Sequence, residues 1–209
     1  MKKTLLSAIS VTLALLLSAS QVQAQEAVDL GLSVKWASAN LEAEIDEYLS
    51  WALLDNIADE SDMGRYFAWG ETVSKEQFGH ERYKWEHSDK YKQRNRLDPA
   101  DDAARAILGE KWHIPDFKEW KELIDNCTWT WEIKDNGMEG YRVKSKINQK
   151  SIFIPAGRPW GGSEPKGMYW SSVKKGDSPI VLTIDRNRHG LYTTPGACWG
   201  HSIRAVCEY

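Results

Sequence analysis

The order of its patterns constrains this chain most. Two capped helical segments at 98–126 are followed by a run of short strands that continues to residue 209. In the first segment Asp98 fits the N-cap and Pro99 the first helical position. Ala100, Ala103, Ala104, Ile107 and Leu108 share one face, and Gly109 ends the helix. The second spans 116–126, with Asp116 and Glu119 spaced for a capping box and Phe117, Trp120, Leu123 and Ile124 as its apolar face. Strands are expected at 141–145, 151–155, 168–173, 180–185, 189–193 and 202–209, with turn signals at Asn136-Gly137, Gly161-Gly162 and Lys175-Gly176. Upstream, Val28, Leu30, Leu32 and Val34 alternate with polar residues or glycine, which predicts a first strand. Residues 41–58 change to helical spacing, with Leu41, Ile45, Tyr48, Leu49 and Ala52 on one face and Asn40 as cap. Residues 66–72 form an apolar-aromatic run ending in a turn, and 73–97 read as an ordered surface loop. Strand, helices, then strands predicts an α+β domain with helices packed on an antiparallel sheet.

The first 24 residues have a separate pattern. Lys2 and Lys3 precede an almost wholly apolar stretch from Leu5 to Leu17, and Val22-Gln23-Ala24 fits the small-x-small cleavage rule. This predicts a secretory signal peptide cut after Ala24 and a mature domain over 25–209 working in the periplasm, at the outer surface or as a secreted protein. No second apolar stretch follows, so no membrane span is expected in the mature chain.

Cleavage removes two of the chain's 27 basic residues and none of its 30 acidic ones, which leaves a net charge of −5. A mildly acidic domain gives no reason to expect nucleic acid as a partner. The three cysteines are Cys127, Cys198 and Cys207. Outside the cytoplasm they predict one disulfide and one remaining thiol. Three pairings are open, and Cys127 with Cys207 is the one expected here. Their spacing does not suit zinc. The 11 tryptophans are many for this length, and most are expected in the core.

Several segments together resemble a known family: 28–40, 65–72, 97–131, 151–159, 168–173 and 202–207. The stretch 97–131, with its two capped helices, Trp112 and Trp129-x-Trp131, is the most specific. The chain resembles the Fibrobacter succinogenes major paralogous domain over nearly its whole mature length. The resemblance implies a C-type lectin-like fold, shared with the formylglycine-generating enzyme: two helices on a twisted antiparallel sheet, long loops, and strands 28–36 and 202–209 paired as neighbours. The chain departs from the family pattern at Ala39, where many members have cysteine, and in a longer 41–62 segment read as a helical insertion. It also lacks the lectin partners for its two late cysteines.

The residues do not assemble a chemical motif. Ser163-Glu164-Pro165-Lys166 partly echoes a lectin calcium loop, but Lys166 stands where a neutral ligand belongs and no Trp-Asn-Asp run follows. No metal site, cofactor or catalytic residue is therefore expected. Asp98, Asp101, Asp102, Asp116 and Glu119 suit helix capping, and the five histidines have no metal spacing. The candidate ligand contacts are Trp160 and Trp199 in Gly-Trp-rich loops, with Glu164 beside them. They predict a non-enzymatic recognition module for a glycan or a surface protein. The alternatives are an enzyme related to the formylglycine generator that uses Cys198 or Cys207, and a structural component of the cell envelope.

Overall fold

The computed structural model describes residues 25–44, 58–92, 94–158 and 163–209. The leader at 1–24, residues 45–57 of the expected helix and insertion, and Trp160 lie outside the described residues, while 41–44 begin as a turn. In chain order the elements are β1 (Ala27–Val28), β2 (Lys35–Ala37), α1 (Ala103–Leu108), β3 (Trp112–His113), α2 (Phe117–Asn126), β4 (Cys127–Ile133), β5 (Glu139–Ser145), β6 (Ser151–Ala156), β7 (Lys166–Lys175), β8 (Ser178–Asp185), β9 (Arg188–Thr193) and β10 (Val206–Cys207). They form three antiparallel sheets, ordered β1-β2-β10-β3, β4-β5-β6 and β7-β8-β9. This is an α+β architecture rich in sheet.

The first strand becomes a hairpin. Ala27 pairs with Ala37 and Val28 with Trp36, so the chain doubles back through 29–34. Gly31 supplies a positive φ of 73°, and the Ser33 amide donates to the Glu122 carboxylate at 3.1 Å instead of to a neighbouring strand. The alternation still reports burial, because Leu30, Leu32 and Val34 face the core while Gly31 and Ser33 are exposed. The expected pairing of the two ends of the domain is present: Val206 sits opposite Trp36, and Cys207 opposite Lys35.

The two helices differ from their sequence reading in detail. The first is broken. Pro99–Asp101 form a 3-10 turn, and Asp102 then caps α1 by accepting from the Arg105 amide at 3.2 Å. Asp98 makes no cap bond; its carboxylate pairs with Arg94 at 2.5 Å. The second helix has the full capping box: Asp116 accepts from the amides of Lys118 and Glu119, and Glu119 accepts from the Asp116 amide at 2.7 Å. Trp120 and Leu123 are buried as expected, but Phe117 in its first turn is exposed. β4 extends directly from this helix, and its two tryptophans lie on the core side of an edge strand.

β7 and β8 are buried on both faces. Tyr169, Leu182 and Ile184 pack into one cluster with Trp36, Trp120, Val143 and Ile154. Trp170 and Val181 pack into a second with Phe67, Trp69, Leu97 and Ile203. Neighbouring strand residues point to opposite faces, so one hairpin serves both clusters. Trp36, Trp69, Trp120 and Trp170 are fully buried. Each contributes about 4–6 kcal/mol of gross transfer free energy before ordering costs.

Candidate functional site

All three sulfurs are buried thiols, and the expected Cys127–Cys207 bridge is not made. The two lie in different sheets: Cys127 opens β4 opposite Ser145, while Cys207 in β10 lies between Lys35 and Trp112. Burial pushes the Cys127 thiol up to about 11 and also raises Cys198. Cys207 donates to the Glu208 carbonyl at 3.3 Å. Buried, protonated thiols are poor nucleophiles. Among the described residues no serine, threonine or cysteine is hydrogen-bonded to a histidine, and no cluster of His, Cys, Asp or Glu could hold a metal ion.

Of the loop candidates, Trp199 and Glu164 are described. Trp199 is 41% exposed and its indole lies over Gly196. Its neighbour Gly200 is covered by Phe78. Glu164 is exposed in a different segment, just before the buried Pro165, where its charge acts on Arg186.

The polar site that the structure does build is centred on Glu139, which the sequence reading did not single out. Glu139 begins β5, opposite Ile133 of β4 and Ala156 of β6, and is 5% exposed. Arg186, from the turn between β8 and β9, donates to both carboxylate oxygens at 2.8 Å. Arg158, just after β6, donates to the same carboxylate at 3.0 Å and to the Ser163 carbonyl at 3.3 Å. The Trp131 indole N–H from β4 completes the set at 3.2 Å. The donors, Arg186 foremost, hold the Glu139 carboxyl down at about 2. Three separate segments thus aim cationic or N–H groups at one carboxylate.

A cavity of about 340 Å³ opens beside this cluster, lined by Asn136, Met138, Glu139, Gly157, Arg158 and Pro165. Asn136 and the strands beside it are tied to the 60–61 segment. Asn136 donates to Ser61 at 2.7 Å, Lys134 pairs with Glu60 at 2.7 Å, and Arg142 bridges Glu60 and Glu132 at 2.8 Å each. Those bonds hold Glu60 at about 2 despite its burial. Trp131 stands edge-on to Tyr141 at 4.9 Å, Trp129 is edge-on to Tyr141 at 5.6 Å, and Trp129 stacks on His189 at 4.4 Å. A partly buried aromatic row therefore runs away from the Glu139 cluster along the seam between the β4 and β9 edges. The alternation in Cys127-Thr-Trp-Thr-Trp was the available signal, because it places both tryptophans on one strand face.

A second cavity of about 210 Å³ is lined by Arg96, Asp102, Arg105, His113, Ser172 and Glu208 among others. Its main groups already have structural roles. Asp102 accepts from the Arg105 and Ile114 amides, Arg96 pairs with Asp116 at 2.7 Å, and His113 bonds Glu119 at 2.9 Å. The Ser172 hydroxyl is buried there without a hydrogen-bond partner among the described residues.

Comparison with known protein families, with curated proteins and with solved structures gives no match for this chain.

Proposed function

We propose that this protein is an exported, non-catalytic recognition module that binds a glycan at the cleft formed by Trp131, Glu139, Arg158 and Arg186. The observation that carries this reading is the Glu139 cluster: a buried carboxylate fixes two half-exposed guanidinium groups and an indole, and Glu139 and Arg158 also line a 340 Å³ cavity. Fixed planar donors beside an aromatic edge suit sugar hydroxyls and ring faces, and little ordering cost remains on binding. The signal-peptide pattern supports export. The resemblance to the Fibrobacter succinogenes major paralogous domain and its C-type lectin-like fold agrees with the paired ends of the domain, the two helices and the long loops.

A glycan array followed by calorimetry on the 25–209 chain tests the proposal, with Trp131→Ala, Arg186→Gln and Trp199→Ala compared with wild type. Trp131→Ala and Arg186→Gln are expected to weaken binding at least tenfold, while Trp199→Ala leaves it unchanged. Binding lost only in Trp199→Ala would return the site to the loop that the sequence suggested.

A further inference from the structure

We infer that the cleft at Glu139 selects a carboxylate-bearing sugar, a uronic acid unit within an acidic polysaccharide; this inference rests on the glycan-binding reading above. Arg158 and Arg186 share Glu139 as their only carboxylate partner among the described residues, so the trio carries one excess positive charge. Glu139 is 5% exposed, whereas Arg158 and Arg186 are 51% and 49% exposed, so a ligand meets the cations and not the anion.

Each guanidinium keeps unused donors. Arg158 spends one N–H of Nη2 on Glu139 and one of Nη1 on Ser163, which leaves Nε and the second N–H of each terminal nitrogen. Arg186 spends Nε and one N–H of Nη2, which leaves all of Nη1 and the second N–H of Nη2. Paired donors in fixed planes match a two-oxygen anion better than a neutral ester or a lone hydroxyl. The buried carboxylate holds both arginines in place before the ligand arrives. Trp131, bonded to the same carboxylate, favours a sugar ring beside that anion over a flexible acidic peptide. Glu164 opposes the ligand, because its exposed charge already acts on Arg186.

Calorimetry on the 25–209 chain with an oligogalacturonate, its fully methyl-esterified form, a sulfated galactan oligomer and polyglutamate tests this inference. Binding of the oligogalacturonate is expected, with at least tenfold weaker binding of the other three. Arg158→Gln should weaken the oligogalacturonate at least tenfold without moving the melting temperature by more than a few degrees. Arg186→Lys, which keeps the charge but loses the fork, should also weaken it. Glu164→Gln should tighten it a few-fold, and 0.5 M NaCl should weaken it. Equal binding of the methyl ester, or tight binding of neutral glycans alone, overturns the acidic preference and leaves the glycan-binding reading standing. Preference for the sulfated galactan overturns the carboxylate, and preference for polyglutamate overturns the sugar. If no glycan binds at all, both the inference and the reading beneath it fall.

Discussion

His201 is 3% exposed, its ring centroid lies 4.3 Å from that of Trp170, and its Nε2 has no hydrogen-bond partner among the described residues. Burial holds its imidazole down at about 4, against an ordinary value of 6.5. The sign follows from linkage. The folded protein refuses a proton that the unfolded chain accepts, so stability is complete above pH 6.5 and falls as the pH drops toward 4. The full loss is about 3 kcal/mol, from roughly 1.4 kcal/mol per pH unit across the gap. The lowered His189 acts in the same direction, and the raised His113 acts only above pH 6.5. Glu60 and Glu139, depressed to about 2, begin to cost stability only below their unfolded values near 4.5. In the window from 6.5 to 4.5 the two lowered histidines therefore favour unfolding, and only Asp102, whose carboxyl burial raises, acts in the opposite direction among the shifted carboxylates of the described residues. Urea unfolding of wild type and His201→Phe across that window should show most of the wild-type loss disappearing in the variant. Parallel curves would mean that His201 accepts protons freely in the folded state.

Among the elements, α2 was the most legible in the sequence, because its start depends on contacts three residues apart. Asp116 and Glu119 satisfy each other's backbone N–H groups whatever the rest of the chain does. Asp116 also pairs with Arg96 from the preceding loop. Asp116→Ala is expected to cost about 1–2 kcal/mol, the range for losing an N-cap. Thermal unfolding should show the loss, and Asp116→Asn should recover more than half of it because the amide oxygen can still cap. If both variants lose equally, the Arg96 pair matters more than the cap. β8 was legible for a different reason: a strand buried on both faces reads as a continuous apolar run. The first strand was read only in part, since alternation reports which residues face inward but not whether a positive φ at Gly31 turns the chain. β4 was not among the expected strands, although the alternation from Cys127 to Trp131 carried its signal. The Glu139 cluster was the least legible part. Trp131, Glu139, Arg158 and Arg186 are 55 residues apart from first to last, and four segments must meet before their chemistry exists. Local patterns carry no record of such convergence.

At the scale of the whole molecule, three sheets need something to fasten them, and Arg204 does this. It is fully buried, and no carboxylate contacts it among the described residues. Its Nε donates to Asn40 Oδ1 at 2.9 Å, Nη1 to the Ala37 carbonyl at 3.0 Å and Nη2 to the Phe153 carbonyl at 2.7 Å. One side chain thus joins β2 of the terminal sheet, the turn after it and β6 of the middle sheet. Asn40 extends the link, donating to the Met63 carbonyl at 3.0 Å and to the Tyr169 hydroxyl at 3.3 Å in β7. A guanidinium suits this position because its planar donors reach three acceptors at once, which an ammonium at the end of a lysine cannot match. Burial lowers the Arg204 guanidinium to about 10, so it stays charged at neutral pH. Arg204→Met keeps the apolar stem and removes all three donors. Each orphaned buried acceptor costs about 1–3 kcal/mol, so the expected loss is about 3 kcal/mol or more. Arg204→Lys should fall between Met and wild type. Urea unfolding followed both by tryptophan fluorescence and by far-ultraviolet circular dichroism tests the fastening role. The two probes should coincide in wild type and separate in Arg204→Met, because the terminal sheet then loosens before β4–β9 unfold. A variant that unfolds in one concerted step within 1 kcal/mol of wild type would show that the apolar clusters alone hold the sheets together.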